Sequence, residues 1–215
     1  MTAAGACWLA ARRDGDFAAA WAVNDAVLAA STGLADDPSL PYHRRHVWDG
    51  RRYRGRHVLV RCYHGLGDTL QFVRYLPALR CQAASVALEA QPELLALLAC
   101  LPGVDRLIPF RTEAPTPPSE CDIEAMELAH ALRLPPGAAP PPYLTVDPLS
   151  RRERVGVSVG LCAEAGNWDR DRSVPLPLLA AALPPGVRPI RLQRDAGNGV
   201  DWANPDDALA TITET

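Results

Sequence analysis

Two short glycine-bearing loops carry the residues of this 215-residue chain best suited to chemistry. The first is His64-Gly65-Leu66-Gly67-Asp68, directly ahead of a helical pattern. Two glycines let the backbone approach a ligand closely, and a helix start offers free N–H groups and a partial positive charge. Asp68 has two readings. As structure, it is a helix N-cap, with Gln71 three positions on completing a capping box. As chemistry, it is a carboxylate facing a cleft, able to take the proton of an attacking hydroxyl. The two roles coexist if only one oxygen caps.

The second loop runs from Gly160 to Ser173 and holds Gly166, Asn167, Trp168, Arg170 and Arg172. Arginine suits bidentate phosphate contacts. A strand, a glycine-bearing loop and a helix start make a diphosphate cradle from Gly160, Asn167, Arg170, Arg172 and Ser173. The competing reading is a solvated loop with a Ser173 cap.

Other chemistries find less support. Gly65-x-Gly67 matches the first two glycines of a dinucleotide fingerprint, and Glu89 ends a strand about 20 residues on, where a ribose-binding acid belongs. The third glycine is replaced by Leu70, so a NAD or FAD oxidoreductase stays as an alternative. There is no G-K-[ST] or G-x-S-x-G element. Glu124 and Glu127 share a helix face without a partner for metal binding, and His130 reads as a structural histidine. The six cysteines form no C-x-x-C pair, which argues against a zinc or redox site. Cys62, Cys81 and Cys100 read as small core residues.

The elements that must position these loops alternate. Residues 7–31 read as two helices around Gly15-Asp16, with Phe17, Trp21, Asn24 and Leu28 on one face. Residues 42–56 are basic and aromatic and read as a connector that lays Trp48 and Tyr53 on a domain surface. From residue 57, strands at 58–60, 85–89, 104–108 and 121–123 alternate with helices at 69–80, from Pro92 to Leu101, and through Leu134. Pro77 is expected to kink the first of these. This pattern implies an α/β fold with a mostly parallel sheet covered on both faces. Residues 135–142 read as a stiff linker. A strand at 155–159, a helix opened by Ser173 and Pro175, and a strand at 187–192 begin a second α/β domain. The expected domains are a helical hairpin (1–37), a Rossmann-like domain (38–142) and an incomplete second one (143–215).

The net charge of −3 gives no global basic excess, and all 22 basic residues are arginine. Nucleic acid is not expected as a partner. No run approaches the roughly 18 apolar residues of a membrane span, and residues 1–17 lack a signal pattern, so a cytoplasmic location is expected.

The run Gly65-Leu66-Gly67-Asp68-Thr69-Leu70-Gln71-Phe72-Val73-Arg74-Tyr75-Leu76-Pro77 resembles the glycosyltransferase family 9 (heptosyltransferase-like) domain found after tetratricopeptide repeats in bacterial proteins. Gly15-Asp16-Phe17 through Trp21 resembles the last repeat, and Trp48-Asp49-Gly50 the lead-in segment. Leu88-Glu89-Ala90-Gln91-Pro92, Leu101-Pro102-Gly103-Val104-Asp105, Val155-Gly156-Val157, Arg172-Ser173-Val174-Pro175-Leu176 and Leu192-Gln193 agree with later units. The resemblance spans roughly residues 12–194. It implies a GT-B fold and sugar transfer from a nucleotide-sugar donor to a glycan or protein acceptor, with no required cofactor or metal. Asp68 would be the base, and Gly65, Gly67, His64 and Gln71 would line the acceptor site. Three departures qualify it. His64 stands where relatives have Gln, and Gly160-Leu161-Cys162-Ala163 replaces the usual Trp-Ala-Gly-Asn. The chain also ends before the segment that contacts the nucleotide sugar, so a truncated or inactive enzyme is expected. A non-catalytic interaction module, docking a protein partner through its repeat-like N-terminal helices, is the alternative.

Overall fold

A computed structural model describes residues 2–31, 39–45, 47–138, 144, 156–163, 171 and 173–191. The chain divides into two compact units, Met1–Thr145 and Val146–Thr215. The first opens with α1 (Ala3–Arg13) and α2 (Phe17–Ser31), which pack on each other. Thr2 Oγ1 caps α1 by accepting the Gly5 N–H at 3.2 Å, and Asp16 Oδ1 accepts the Ala19 N–H at 2.9 Å at the start of α2. Gly15 turns the chain between them at φ +73°. The helix pair belongs to the first unit: Asp25 Oδ1 on α2 accepts from His130 Nε2 at 2.8 Å and Arg133 Nη2 at 2.6 Å.

The strands β1 (His57–Arg61), β2 (Ser85–Ala90), β3 (Arg106–Pro109) and β4 (Cys121–Glu124) form one all-parallel sheet in the order β3-β2-β1-β4. Register places Val58 opposite Val86 and Cys121, and Arg61 opposite Glu89 and Glu124. Strand alternation then sorts the residues onto two faces. Val58, Val60, Val86, Leu88, Cys121 and Ile123 share the face that packs on Val73, Leu76, Leu79, Leu98 and Leu128. Those residues come from α4 (Leu76–Arg80), α5 (Leu95–Leu98), α6 (Leu128–Leu132) and the turn between α3 (Leu66–Phe72) and α4.

The opposite face differs from the sequence expectation of helices on both sides. The crossover from β3 to β4 is a Pro-rich stretch without a helix, residues 110–120. It moves from one sheet edge to the other, so a right-handed connection carries it across the face opposite the helices. There Arg61, Glu89 and Asp122 point toward it, and Thr116 bonds to both Arg61 and Glu89.

The expected helix over 69–80 is also broken. A 3-10 turn at Val73–Tyr75 separates α3 from α4, and Pro77 sits in the first turn of α4. Lacking an N–H, Pro77 cannot continue the α3 ladder but fits a helix start. Gly103 (φ +89°) lies against this junction; a Cβ there would stand 2.7 Å from Pro77 N. Cys62 is buried, whereas Cys81 and Cys100 are exposed just beyond α4 and α5. The latter two are therefore not core residues. Trp48 is buried, donates from Nε1 to the Arg51 carbonyl at 3.0 Å, and meets His130 edge-on at 5.5 Å.

In the second unit, β5 (Ser158–Leu161) and β6 (Arg188–Arg191) pair in parallel around α7 (Leu176–Ala181). This is one βαβ unit. No described helix is long and apolar enough to cross a membrane.

Candidate functional site at the β1–β4 switch point

In an open parallel sheet, ligands bind beyond the carboxyl ends of the strands, where the strand order reverses. Here that point lies between β1 and β4, since β2 and β3 continue on the other side of β1. The segment after β1 is Cys62–Gly65, followed by α3; the segment after β4 begins at Ala125.

The β1 loop is fixed from below by one side chain. Gln91, just past β2, donates from Nε2 to the carbonyls of Cys62 (3.2 Å) and His64 (2.7 Å). Its Oε1 accepts from Thr69 Oγ1 at 2.8 Å. The loop is thereby tied to β2 and α3 at once.

Helix α3 starts at Leu66, and its N-cap is Gly65 in extended backbone conformation. Asp68 is therefore not the N-cap that sequence suggested, and Gln71 does not complete a capping box. Asp68 is the third residue of the helix, and its Oδ2 reaches back to accept the Gly65 N–H at 3.1 Å. Only half of a box exists, because Gly65 has no side chain to return the bond. Asp68 is half-buried, and Oδ1 has no partner among the described residues. A Cβ on Gly65 would approach Asp68 Oδ2 to 3.3 Å, whereas Gly67 faces open space. Gln71 is exposed, one turn along α3 from Asp68.

His64 is held differently. Its Nδ1 lies 2.9 Å from Oε1 of Glu124, the last residue of β4, so the pair bridges the switch point. The His64 side chain is 31% exposed and that of Glu124 only 8%. Glu124 Oε2 accepts the Met126 N–H at 2.9 Å, and Glu127 Oε2 accepts the Glu124 N–H at 3.3 Å. Burial pushes the Glu124 carboxyl above the usual carboxylate range, opposed by the bond to His64. Burial likewise pushes Glu127 up to about 7. Sequence reasoning set Glu124 on a helix face with Glu127 and considered it only for metal binding, whereas it is the last residue of β4. The available signal was its place at the end of the strand that borders the first loop.

Aromatic rings stand beside the crevice. Tyr42, Tyr63 and Phe110 pack with ring centroids 4.9, 5.0 and 5.1 Å apart, and His43 meets His64 at 6.2 Å. The basic stretch 42–56 thus begins against the site and ends, through Trp48 and Tyr53, on the helix side.

Glu89 has a closed environment. It is fully buried, with Oε2 on Arg61 Nη1 at 2.9 Å and Oε1 accepting the Thr116 N–H at 2.7 Å. As placed, it cannot reach a ribose, which removes the acid that the dinucleotide alternative requires. Cys62 is no nucleophile either, since burial pushes its thiol up to about 12.

The second predicted loop is described only at its ends. Gly160 is a strand residue paired with Ile190, not a loop residue. Ser173 does not cap α7, whose N-cap is Pro175. The Val174 N–H donates to the Ala163 carbonyl at 2.8 Å, closing the base of the loop. Asn167, Arg170 and Arg172 lie outside the described residues, as do Gly166 and Trp168.

No known protein family, curated protein or solved structure matches the chain.

Proposed function

We propose that this chain is a glycosyltransferase-like protein in which the β1–β4 crevice receives an acceptor hydroxyl. The observation that carries this reading is the half-used carboxylate of Asp68. One oxygen holds the loop through Gly65, and the other has no partner among the described residues. Oδ1 accepts a hydrogen bond from the hydroxyl and so orients the hydroxyl oxygen. The oxygen then attacks the anomeric carbon of a nucleotide-activated sugar as the bond to the diphosphate breaks. A GT-B arrangement and a repeat-like role for α1 and α2 are parts of this proposal.

Calorimetric titration of the chain with a panel of nucleotide sugars tests it. Saturable binding of one of them is expected. Absence of binding across the panel by a folded chain would overturn it and favour an interaction module.

A further inference from the structure

Beyond Asp68, the crevice holds an imidazole with a built-in orientation. We infer that His64, aligned by Glu124, is the proton acceptor for the hydroxyl bound at the switch point, and that Asp68 holds that hydroxyl in place. This rests on the sugar-transfer reading for the ligand's identity but not for the chemistry of the pair.

The argument starts from Glu124. Its carboxylate is enclosed and has one oxygen committed to the Met126 N–H, which leaves Oε1 aimed at His64 Nδ1. A carboxylate on one ring nitrogen fixes the proton there and leaves the lone pair on the other. Nε2 of His64 accordingly carries the lone pair, on a side chain that is part-exposed, and it has no partner among the described residues. The main chain of His64 is equally constrained, because Gln91 Nε2 grips its carbonyl at 2.7 Å. Ring and backbone are both held before any ligand arrives, as a proton-transfer group requires.

The charged and titratable groups that face this imidazole come from each neighbouring segment. Glu124 from β4 lies on it and His43 from the connector stands 6.2 Å away ring to ring, while Glu127, in the turn after β4, holds the Glu124 N–H and Asp68, in the first turn of α3, holds the adjacent Gly65 N–H. Glu124 is the one in contact, so imidazolium formation is balanced locally by its carboxylate. In the transfer, the O–H bond of the acceptor breaks and its electron pair becomes the new bond to the anomeric carbon. The carbon–oxygen bond to the diphosphate breaks with its electrons leaving on the diphosphate. The proton comes to rest on Nε2 of His64. An imidazole exchanges protons near neutrality more readily than any other side chain, which suits this step. Glu124 acts through His64 and is a positioning residue.

The test uses the whole chain and needs no sugar nucleotide. Nitrogen-detected NMR of the imidazoles reads which nitrogen carries the proton in the neutral ring, and diethyl pyrocarbonate reads the reactivity of the exposed nitrogen. The account predicts the Nδ1–H form for His64. It also predicts carbethoxylation of His64 slowed about tenfold in Glu124→Gln, which removes the charge and keeps the shape. His57 serves as the internal control, since it lies outside the crevice. A neutral His64 ring protonated on Nε2, or equal reaction rates in both proteins, would overturn the inference. If Glu124→Gln fails to fold, His64→Gln replaces it; loss of the fastest-reacting imidazole is then expected, and no change in the reaction profile contradicts the proposal. Once a donor is found, His64→Gln should lower kcat about 100-fold with little change in KM.

Discussion

Two ionic clusters sit at the carboxyl ends of the same strands, a few residues apart in sequence. The first, Arg61–Glu89–Asp122, is closed. Arg61 uses all five guanidinium donors: Nε on Asp122 (2.8 Å), Nη1 on Tyr63 and Glu89 (both 2.9 Å), and Nη2 on Thr116 (2.9 Å) and Asp122 (2.6 Å). The carboxylates are completed by the N–H groups of Thr116 and Ser119. The second, the His64–Glu124 pair with Asp68 at the adjoining helix start, is open, with Nε2 and Oδ1 unused among the described residues. Residue types barely distinguish the two clusters, but saturation does. A cluster whose every donor and acceptor is matched inside the protein fastens a loop across a sheet face. One that leaves a lone pair and a carboxylate oxygen outward is arranged to meet something else.

Breaking the closed cluster should have the largest effect. Arg61→Met leaves Glu89, 0% exposed, without its cationic partner, and a loss of about 3–5 kcal/mol in urea unfolding is expected. A loss under 1 kcal/mol would mean that the face is not held by charge.

The carboxyl that supports the open cluster, Glu127 on the Glu124 N–H, should instead carry a pH-dependent cost. Glu127 rises by burial from 4.5 to about 7 in the fold. Between those values the folded chain keeps a proton that the unfolded chain releases, so stability falls as pH rises through that window. The full change is about 3 kcal/mol. Glu127→Gln should remove most of this slope in unfolding midpoints taken from pH 4 to 8, while Glu124, raised in the same direction, leaves a residual slope of the same sign. An unchanged slope would contradict the burial argument.

The smallest stability effect belongs to Asp68→Asn. It weakens one helix-start bond to Gly65, worth about 0.5–1 kcal/mol in thermal unfolding. A loss as large as that of Arg61→Met would place Asp68 among the structural charges.

How much of this was legible in the sequence follows the same division. Short apolar runs revealed β1, β2 and β4, because these signals are local, whereas Leu66–Asp68, expected in a loop, are the first turn of α3. The start of α3 was set three residues late. Sequence rules look for a side-chain cap, and Gly65 caps with backbone conformation alone. The break at Val73–Tyr75 was expected as a kink, since Pro77 signals disruption without saying which helix it opens. The His64–Glu124 pair could not be read at all. It depends on β4 lying beside β1, a consequence of strand order that no local pattern encodes. Arg61 and Asp122 were hidden in the same way, as polar residues in strands whose second face was taken to be covered by helices, and Glu89 was noticed only as a ribose-binding candidate and not as their partner.

The most direct measurement is release of nucleoside diphosphate from a sugar nucleotide, compared between the native chain and Asp68→Asn at matched folded concentration. The account predicts release by the native chain and a loss of about 100-fold in the variant, whose fold is almost as stable. Equal rates in the two proteins, or no release by a native chain given every common donor, would contradict it.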